Sequence, residues 1–371
     1  MKFSCEKSTL ASAIGIASRA AAAKSAVPAL EGLLVEAGAD VVISGYDLKT
    51  GIRSTISADV SEPGSVVINS KLFGDIVRKL PDDIIYITVD ERFMINIKCG
   101  MSEFDIMGMS SEEYPELPYV DYQNSIYIEE KVIKAIISET NFAVSDNDAR
   151  PIHTGALFEL DNNILTVVAV DGYRLALRRE PVSNTEISKV EFVVPGTALS
   201  EVEKIASDKE DLVKITLGSK HIMFTIGSTM LVSRKLEGEF LNYKNSIPQV
   251  SKYSIEASRR ELINSIERVS LIINDKFKSP VRCVFEDGVM KVTTATTLGK
   301  ANDECAVSGD GEGLEIGFNN RYILEALKAA PADSVRLQLS TGVSPCVIVP
   351  TDGSKNFIYM ILPVRLRANE G

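Results

Sequence analysis

Val66-Val67-Ile68-Asn69-Ser70-Lys71-Leu72-Phe73-Gly74-Asp75-Ile76-Val77-Arg78-Lys79-Leu80 decides how this chain is read. A β-branched run passes through a polar cap, Asn69-Ser70, into a helix. Apolar residues at 72, 73, 76, 77 and 80 line one face of that helix. The pattern returns 126 residues on, as Phe192-Val193-Val194-Pro195-Gly196 with Ala198, Leu199, Val202 and Ala206 after it. It returns again after a further 124, as Ile316-Gly317-Phe318-Asn319-Asn320 with Tyr322, Ile323, Ala326, Leu327 and Ala330 after it. An acid holds the same helical position each time: Asp75, Glu201 and Glu325. Self-similarity at a fixed period marks a repeated structural unit.

The stretch after each helix repeats as well. Alternating strands are predicted at Ile84–Val89, Leu212–Leu217 and Ser334–Leu339, with two more after each, such as Phe93–Lys98 and Glu103–Met107. The other half of each copy has the same order. Helices are predicted at 7–20, 131–140 and 260–270, each leading to strand pairs: Gly32–Glu36 with Asp40–Ser44, Ala156–Leu160 with Leu165–Val170, and Arg282–Glu286 with Val289–Thr294. Asp47 and Asp171 close equivalent strands 124 residues apart. The fold class is therefore α+β: three repeated domains, each of two β-α-β-β-β units. Boundaries are expected near 124 and 249, at the polar Asp121-Tyr122-Gln123-Asn124 and at Pro248-Gln249, giving domains 1–124, 125–249 and 250–371.

Composition excludes several classes. No run approaches a membrane span, and the opening residues lack an apolar leader, so a cytoplasmic protein is expected with no membrane partner. Five scattered cysteines without a CxxC pair predict reduced, buried thiols. His153 and His221 have no cysteines at ligand spacing, so no zinc site and no cofactor are expected. Gly309-Asp310-Gly311-Glu312-Gly313 is acidic and reads as a flexible loop, and Asp146-Asn147-Asp148 as a polar loop. An enzyme would have to be built from His153, Asp171 and Arg174. The repeat-equivalent Asp47 favours a turn role for Asp171 instead.

A net charge of −11 lowers the expectation of a nucleic-acid partner only if the charge is evenly spread. Geometry argues the other way. Helices packed side by side stand about 8–10 Å apart, so a ring of six leaves too small a hole for a duplex. A ring of twelve leaves a bore of about 21–28 Å once one helix diameter is subtracted. Two chains could encircle double-stranded DNA; one could not. Arg19, Lys24, Lys71, Arg78, Lys79, Lys131, Lys134, Lys204, Arg259, Arg260, Arg268, Arg321 and Lys328 lie on or beside the helices and could meet phosphates without reading bases.

With Met1-Lys2-Phe3, Val170-Asp171-Gly172-Tyr173-Arg174-Leu175, Asn274-Asp275-Lys276-Phe277 and Leu362-Pro363-Val364-Arg365-Leu366 added, the chain resembles the bacterial DNA polymerase III beta subunit family over residues 1–366. The resemblance implies the DNA clamp fold, with helices inside and sheets outside a head-to-tail homodimeric ring. It implies a non-catalytic processivity factor, loaded by a clamp loader, that holds DNA without regard to sequence. Replicative DNA polymerase, loader and repair proteins would bind through short hydrophobic peptides. By position, their pocket would comprise Arg150, His153, Gly155, Val170, Gly172, Tyr173, Arg174, Leu175, Leu241, Asn245, Ser246, Met360, Leu362, Pro363, Val364, Arg365 and Leu366. An apolar floor edged by two arginines suits such peptides.

DNA contacts would fall on Lys24 and Asn147, joined by Arg19, Lys71, Arg78 and Lys134. Pro151 and Ile152 stand where tyrosines occur in the family. The ring interface would set Phe104 and Ile106, on an edge strand, against Leu271 and Ile272. The chain departs from the family at Val170 (threonine), His153 (leucine), Leu241 (proline), Asn245 (arginine) and Ser246 (valine), and extends past the usual end by Arg367–Gly371. These departures admit a second reading, a diverged clamp paralogue with altered partner or inhibitor binding.

Overall fold

The protein's structure, a computed structural model, describes residues 1–121, 124–147, 149–182, 187–274, 279–354 and 356–366. Tyr122, Gln123, Asp148, Asp275, Lys276, Phe277 and Arg367–Gly371, all singled out above, lie outside the described residues.

Six β-α-β-β-β units succeed one another along the chain. The first two are β1 (Lys2–Glu6), α1 (Lys7–Ala17), β2 (Gly32–Ala37), β3 (Val41–Tyr46) and β4 (Thr50–Ile56), then, past a short β5 (Asp59–Glu62), β6 (Gly64–Asn69), α2 (Ser70–Lys79), β7 (Ile84–Val89), β8 (Met94–Cys99) and β9 (Ser102–Met107). The middle pair is β10 (Asn124–Glu129), α3 (Glu130–Thr140), β11 (Gly155–Asp161), β12 (Ile164–Val170) and β13 (Arg174–Pro181), then β14 (Lys189–Pro195), α4 (Gly196–Ile205), β15 (Leu212–Leu217), β16 (His221–Ile226) and β17 (Thr229–Arg234). A single turn, α5 (Tyr243–Ser246), precedes the last pair. That pair is β18 (Tyr253–Ser258), α6 (Arg259–Ser270), β19 (Val281–Glu286), β20 (Val289–Thr296) and β21 (Gly299–Asp310), then β22 (Glu315–Phe318), α7 (Asn320–Ala329), β23 (Ser334–Leu339), β24 (Cys346–Pro350) and β25 (Phe357–Ile361).

The polar caps read from the sequence do their expected work. Asn69 accepts from the Leu72 N–H at 3.0 Å and Asn319 from the Arg321 N–H at 3.0 Å, satisfying donors that the first helical turn leaves orphaned. All five cysteines are free and buried.

Two compact units result, and they do not coincide with the sequence repeat. Met1–Ile133 packs with Ser200–Lys235, and Lys134–Val182 with Leu236–Gly371. In the first unit the sheet β10-β15-β16-β17-β4-β3-β2-β6 draws strands from the first and middle repeats, beside a smaller sheet β5-β1-β7-β8-β9. In the second, twelve strands run β14-β11-β12-β13-β25-β24-β23-β18-β21-β20-β19-β22. Every ladder between the strands is antiparallel. Two ladders join one repeat to the next: β17 to β4 (Thr229 opposite Ser54 through Ser233 opposite Thr50) and β13 to β25 (Arg174 opposite Ile361 through Arg178 opposite Phe357).

One expectation needs correction. Gly309 and Asp310 do not belong to a flexible loop but end β21, where they pair with Ile255 and Ser254 of β18. Gly309 sits at φ +111 and a Cβ there would come within 2.1 Å of the Ser254 carbonyl, so glycine is a packing requirement. Gly311–Gly313 turns toward β22 and is itself held, the Gly313 N–H donating to the Phe285 carbonyl at 2.9 Å and the Leu314 N–H to that of Gly311 at 3.0 Å.

The equivalent turns Asp47–Thr50 and Asp171–Arg174 differ in one respect. Gly172 takes φ +91, whereas Leu48 is forced to φ +72 while 57% exposed. An L-residue with a side chain there costs about 1–2 kcal/mol. Leu48→Gly is expected to stabilise the first unit by about 0.5–1 kcal/mol after the extra freedom of glycine in the unfolded chain is subtracted. A rise in the urea midpoint checks this; an unchanged or lower midpoint counts against strain at this turn.

Candidate functional site

The β13·β25 seam positions most of the residues expected to form a pocket. Strand alternation puts Leu175 and Leu177 of β13 on one face with Met360 and Ile358 of β25 directly opposite. Val168 and Val170 of β12, Val347 and Val349 of β24, Ile152 and Tyr243 complete one buried apolar cluster. Leu236, Phe240 and Ile247 of the segment after β17 pack over it. Beside this floor a cavity of about 280 Å³ opens between Tyr243, Ile247, Val347, Val349 and Ile358, bordered by Arg179 and Lys244. Tyr243 is fixed by donating its hydroxyl to Glu159 at 2.5 Å, and burial with that bond pushes its phenol pKa up.

The Asp171–Arg174 turn forms one wall. Asp171 Oδ1 accepts the backbone N–H groups of Tyr173 (2.8 Å) and Arg174 (3.0 Å), as Asp47 does for Lys49 (2.9 Å) and Thr50 (2.7 Å). Its Oδ2 accepts from Arg174 Nε at 2.9 Å. Arg174 also donates to Glu325 and, at 2.6 Å, to the Phe142 carbonyl, and its guanidinium lies 4.6 Å from the Tyr322 ring centroid. With a side chain only 4% exposed, Arg174 is a brace between β13 and α7, not the second open arginine expected at the rim. Burial alone would raise the Glu325 pKa, but the bonds from Arg174 and Arg321 hold it below the usual carboxylate range.

The remaining expected pocket residues divide into exposed and structural. Arg150, Gly172, Tyr173 (61% exposed), Leu241, Asn245, Leu362 and Arg365 face solvent. Ser246, Pro363, Val364 and Leu366 are half-buried. The Leu362 N–H donates to the Tyr173 carbonyl and the Val364 N–H to that of Gly317, both at 2.8 Å, which lashes the segment after β25 to the site. Gly155 lies beneath the site, where a Cβ would strike the Val194 carbonyl at 2.2 Å. His153 is buried edge-on against Phe240, with centroids 5.4 Å apart. Burial first, and then the Arg150 cation, lower its pKa, so it is neutral at pH 7.

Sequence reasoning missed Phe142, Tyr322 and Glu325 as parts of this wall, and Tyr243, Ile358 and Val347 as parts of the floor. Glu325 carried a signal, since an acid recurs at that helical position. The floor residues carried only strand alternation, which does not say which two strands will meet.

Among the expected DNA contacts, Arg19, Lys24, Lys71 and Arg78 are exposed in the first unit, where α1 and α2 pack with Ser70 donating to Ser18 at 2.9 Å. Several cations are already matched within the chain: Arg19 to Glu201 (3.4 Å), Arg78 to Asp75, Lys131 to Glu210 (2.7 Å), Lys204 to Glu201 (2.7 Å) and Lys328 to Glu267 (2.6 Å). Lys24, Lys71, Lys79 and Arg260 are exposed and make no ion pair among the described residues. Asn147 is exposed, its side-chain Oδ1 accepting the Ala149 N–H at 2.9 Å, and Lys134 is half-buried.

Phe104 and Ile106 lie on β9, the last strand of its sheet, with Phe104 38% exposed. Leu271 is 84% exposed and Ile272 half-buried. A second open edge was not foreseen. β21 pairs with β18 only from Val307 onward, so 299–306 has one side unpaired among the described residues. Its Asp303 accepts from Arg268 at 2.8 Å, three residues before Leu271.

Comparison with known proteins decides the family. Sequence models of the DNA polymerase III beta subunit match throughout: N-terminal domain over 1–118, central domain over 127–242, C-terminal domain over 244–365. The chain belongs to the DNA polymerase III beta subunit family. The beta sliding clamp of Halalkalibacterium halodurans is 31% identical over 379 residues, covering 98% of this chain and 100% of that one. The Staphylococcus aureus beta sliding clamp is 30% identical over 376 residues, covering 98% and 99%.

Among solved structures, the sliding clamp of Bacillus subtilis superposes with a TM-score of 0.94 at 29% identity, and the DNA polymerase III beta subunit of Eubacterium rectale with 0.93 at 32%. Each covers 99% of this chain and 100% of its own. A Pseudomonas aeruginosa clamp bound to griselimycin has a TM-score of 0.93 at 25% identity, again covering 99% and 100%. The fold is thus the three-domain DNA clamp fold, and the function that of a beta sliding clamp, a non-catalytic polymerase accessory subunit. The Asp171–Arg174 pair in this sliding clamp is architecture and not an acid–base couple. No helix among the described residues is long and apolar enough to cross a membrane.

The wall of the site makes two outcomes measurable. Asp171→Ala removes the acceptor of two backbone N–H groups and of one guanidinium N–H, and is expected to cost about 2–3 kcal/mol of stability by chemical denaturation. A loss under about 0.5 kcal/mol would show that the turn does not need the carboxylate. His153 titrates lower in the fold than in the unfolded chain, so its neutral form is favoured by folding. Stability from this group is complete above about pH 6.5 and is lost as pH falls through the lowered folded value. His153→Leu is expected to flatten the fall in melting temperature between about pH 7.5 and pH 5.5; an identical slope in both proteins refutes the assignment.

Proposed function

We propose that two copies of this chain close head-to-tail around duplex DNA in the cytoplasm, and that the β13·β25 site docks short peptides of polymerase, loader and repair proteins. The observation that carries the docking reading is the seam itself. Leu175, Leu177, Ile358 and Met360 form a continuous apolar floor with Phe240 and Ile247 packed on it, while Tyr173, Leu241, Arg150 and Arg365 are open to solvent. Apolar side chains from an extended peptide would enter over that floor, and the open arginines would meet its carboxylates. A domain boundary near 124 fits between the first two stretches that the family models match, while one near 249 falls a few residues inside the third, which begins at 244.

Ring closure is supported by the two open strand edges, β9 and residues 299–306 of β21, together with exposed Phe104 and Leu271 and half-buried Ile106 and Ile272. Unpaired edges invite pairing with another chain. The six long helices among the described residues of each chain would make twelve in a dimer, a number that gives room for a duplex. Lys24, Arg19, Lys71, Arg78, Lys134 and Asn147 would face phosphates, giving contacts that weaken with salt and ignore sequence.

His153, Leu241, Asn245 and Ser246 give the site its own character: Leu241 and Asn245 face solvent, Ser246 is half-buried in α5, and His153 packs against Phe240, which covers the floor. They favour a peptide preference of this chain's own, as the paralogue reading has it, within the same clamp function.

Retention after loading onto nicked circular DNA, compared with the same DNA linearised by a restriction enzyme, tests the ring. The protein is expected to stay on the circle and to leave the linear form; equal retention on both overturns encirclement. For docking, a short peptide with leucine and phenylalanine anchors is expected to bind at least about tenfold more weakly to Tyr173→Ala/Leu241→Asp. Unchanged affinity would place the peptide elsewhere.

A further inference from the structure

The first unit holds a groove of about 660 Å³ along the other inter-repeat seam, β17·β4, that the sliding-clamp function leaves unused. The chain's own repeat relates it to the β13·β25 site. Val232 stands opposite Gly51 and Met230 opposite Arg53, as Met360 stands opposite Leu175 and Ile358 opposite Leu177. Met223 of β16 lies beside Val232 as Val347 of β24 lies beside Met360. Each seam is roofed by the segment that links the two repeats it joins: the one after β9 here, and the one after β17 at the β13·β25 site. Met109 and Leu236 make matching single bridges to Val67 and Val193, and Tyr114-Pro115-Glu116-Leu117 precedes Phe240-Leu241-Asn242-Tyr243 by 126 residues.

The roof is pinned firmly enough to keep the groove open. Tyr114 is buried and donates its hydroxyl to the Ser44 carbonyl at 3.3 Å, and Ser65 donates to Ser111 at 2.8 Å. Gly51 leaves room for Leu117, since a Cβ there would meet the Leu117 side chain at 2.9 Å. Val120, Met223 and Val232 form the apolar wall, with Leu117 and Met230 packed on it. Methionine adapts its shape to what it meets, which suits a binding surface better than a rigid core.

Charge separates the two grooves. Arg150 and Arg365 are exposed around the β13·β25 site, where Lys244 pairs with Glu159 at 2.6 Å. Glu36, Glu112 and Glu116 line this one, and Arg53, the one cation among its described lining residues, stands 4.0 Å from Glu36. The geometry points to a second peptide-docking groove at the β17·β4 seam, whose occupant is an extended segment of a partner protein carrying apolar anchors flanked by lysine or arginine. The apolar anchors would lie on Met223, Met230 and Val232 and the cations against Glu112 and Glu116. This second groove rests by analogy on the docking reading of the first, but its test is separate.

Methionine methyl groups report on both grooves at once, because Met223 and Met230 sit in one and Met360 in the other. The full chain, labelled with carbon-13 at methionine methyls, would be titrated with the synthetic peptide Lys-Ala-Leu-Lys-Leu-Phe-Lys, and separately with its glutamate counterpart. The cationic peptide is expected to shift Met223 and Met230 saturably without moving Met360, and the anionic peptide to leave them still. Glu112→Lys/Glu116→Lys changes two exposed positions outside the core and is expected to weaken that binding at least about tenfold. Movement of Met360 alone would put the peptide in the first site and overturn the second. So would saturation unaffected by the charge reversal, or no shift at millimolar peptide. Before any peptide is added, concentration-dependent shifts at Met223 and Met230 that Glu112→Lys/Glu116→Lys abolishes would make a second copy of the chain the groove's occupant, and would equally sink the proposal.

Discussion

Unpaired strand edges govern this molecule. A repeat of two β-α-β-β-β units ends in strands whose outer N–H and C=O groups have no partner within the repeat, and burying such groups unpaired is costly. β4 is completed by β17 and β13 by β25, so the backbone itself joins one repeat to the next. Because the ladders are in register over five residue pairs each, the side chains facing the same way at a seam are fixed as a set. Leu175, Leu177, Ile358 and Met360 become one floor for that reason, although 181 residues separate Leu177 from Ile358. The same rule leaves β9 and part of β21 open, and an open edge on a clamp is where another chain can add.

Around the floor, polar groups serve to hold shape. Asp171 closes its turn through two backbone bonds and orients Arg174, which reaches α7 through Glu325 and lies against Tyr322. A guanidinium with carboxylates on two sides and a carbonyl on the third has little left to offer a ligand. Rigid walls matter here because a peptide that meets a preformed groove loses less freedom on binding. Leu241, Asn245 and Ser246, where the chain departs from the family pattern, follow β17 and make none of the brace's hydrogen bonds. Under the docking proposal, a change at these three positions would alter peptide preference without removing a bond of the brace.

The acidic balance of −11 coexists with DNA as a partner because the charges are locally paired. Surface pairs such as Lys204 with Glu201 and Lys328 with Glu267 contribute little to stability, about 0–1 kcal/mol each. In the proposed ring their lysines would turn to a phosphate at small cost, and Lys24, Lys71 and Lys79 would not need to turn. Contacts of this kind are individually weak and indifferent to sequence, which suits a protein that must stay on DNA and still move along it.

Periodicity in the chain determined the units: three copies, six helices, alternating strands, and an aspartate turn closing equivalent hairpins. Those features are local, set by side-chain spacing within a few turns of chain, and local preferences survive into the fold. Which strand edge meets which was invisible, because any antiparallel pair with matching alternation would satisfy a sequence pattern equally well. Only tertiary packing divided the middle repeat between two compact units, ran β21 through Gly309 and Asp310, and turned Arg174 inward. It alone set Met223, Met230 and Val232 beside three glutamates. Burial and hydrogen-bond satisfaction act between residues far apart in sequence, and they are decided when the edges close.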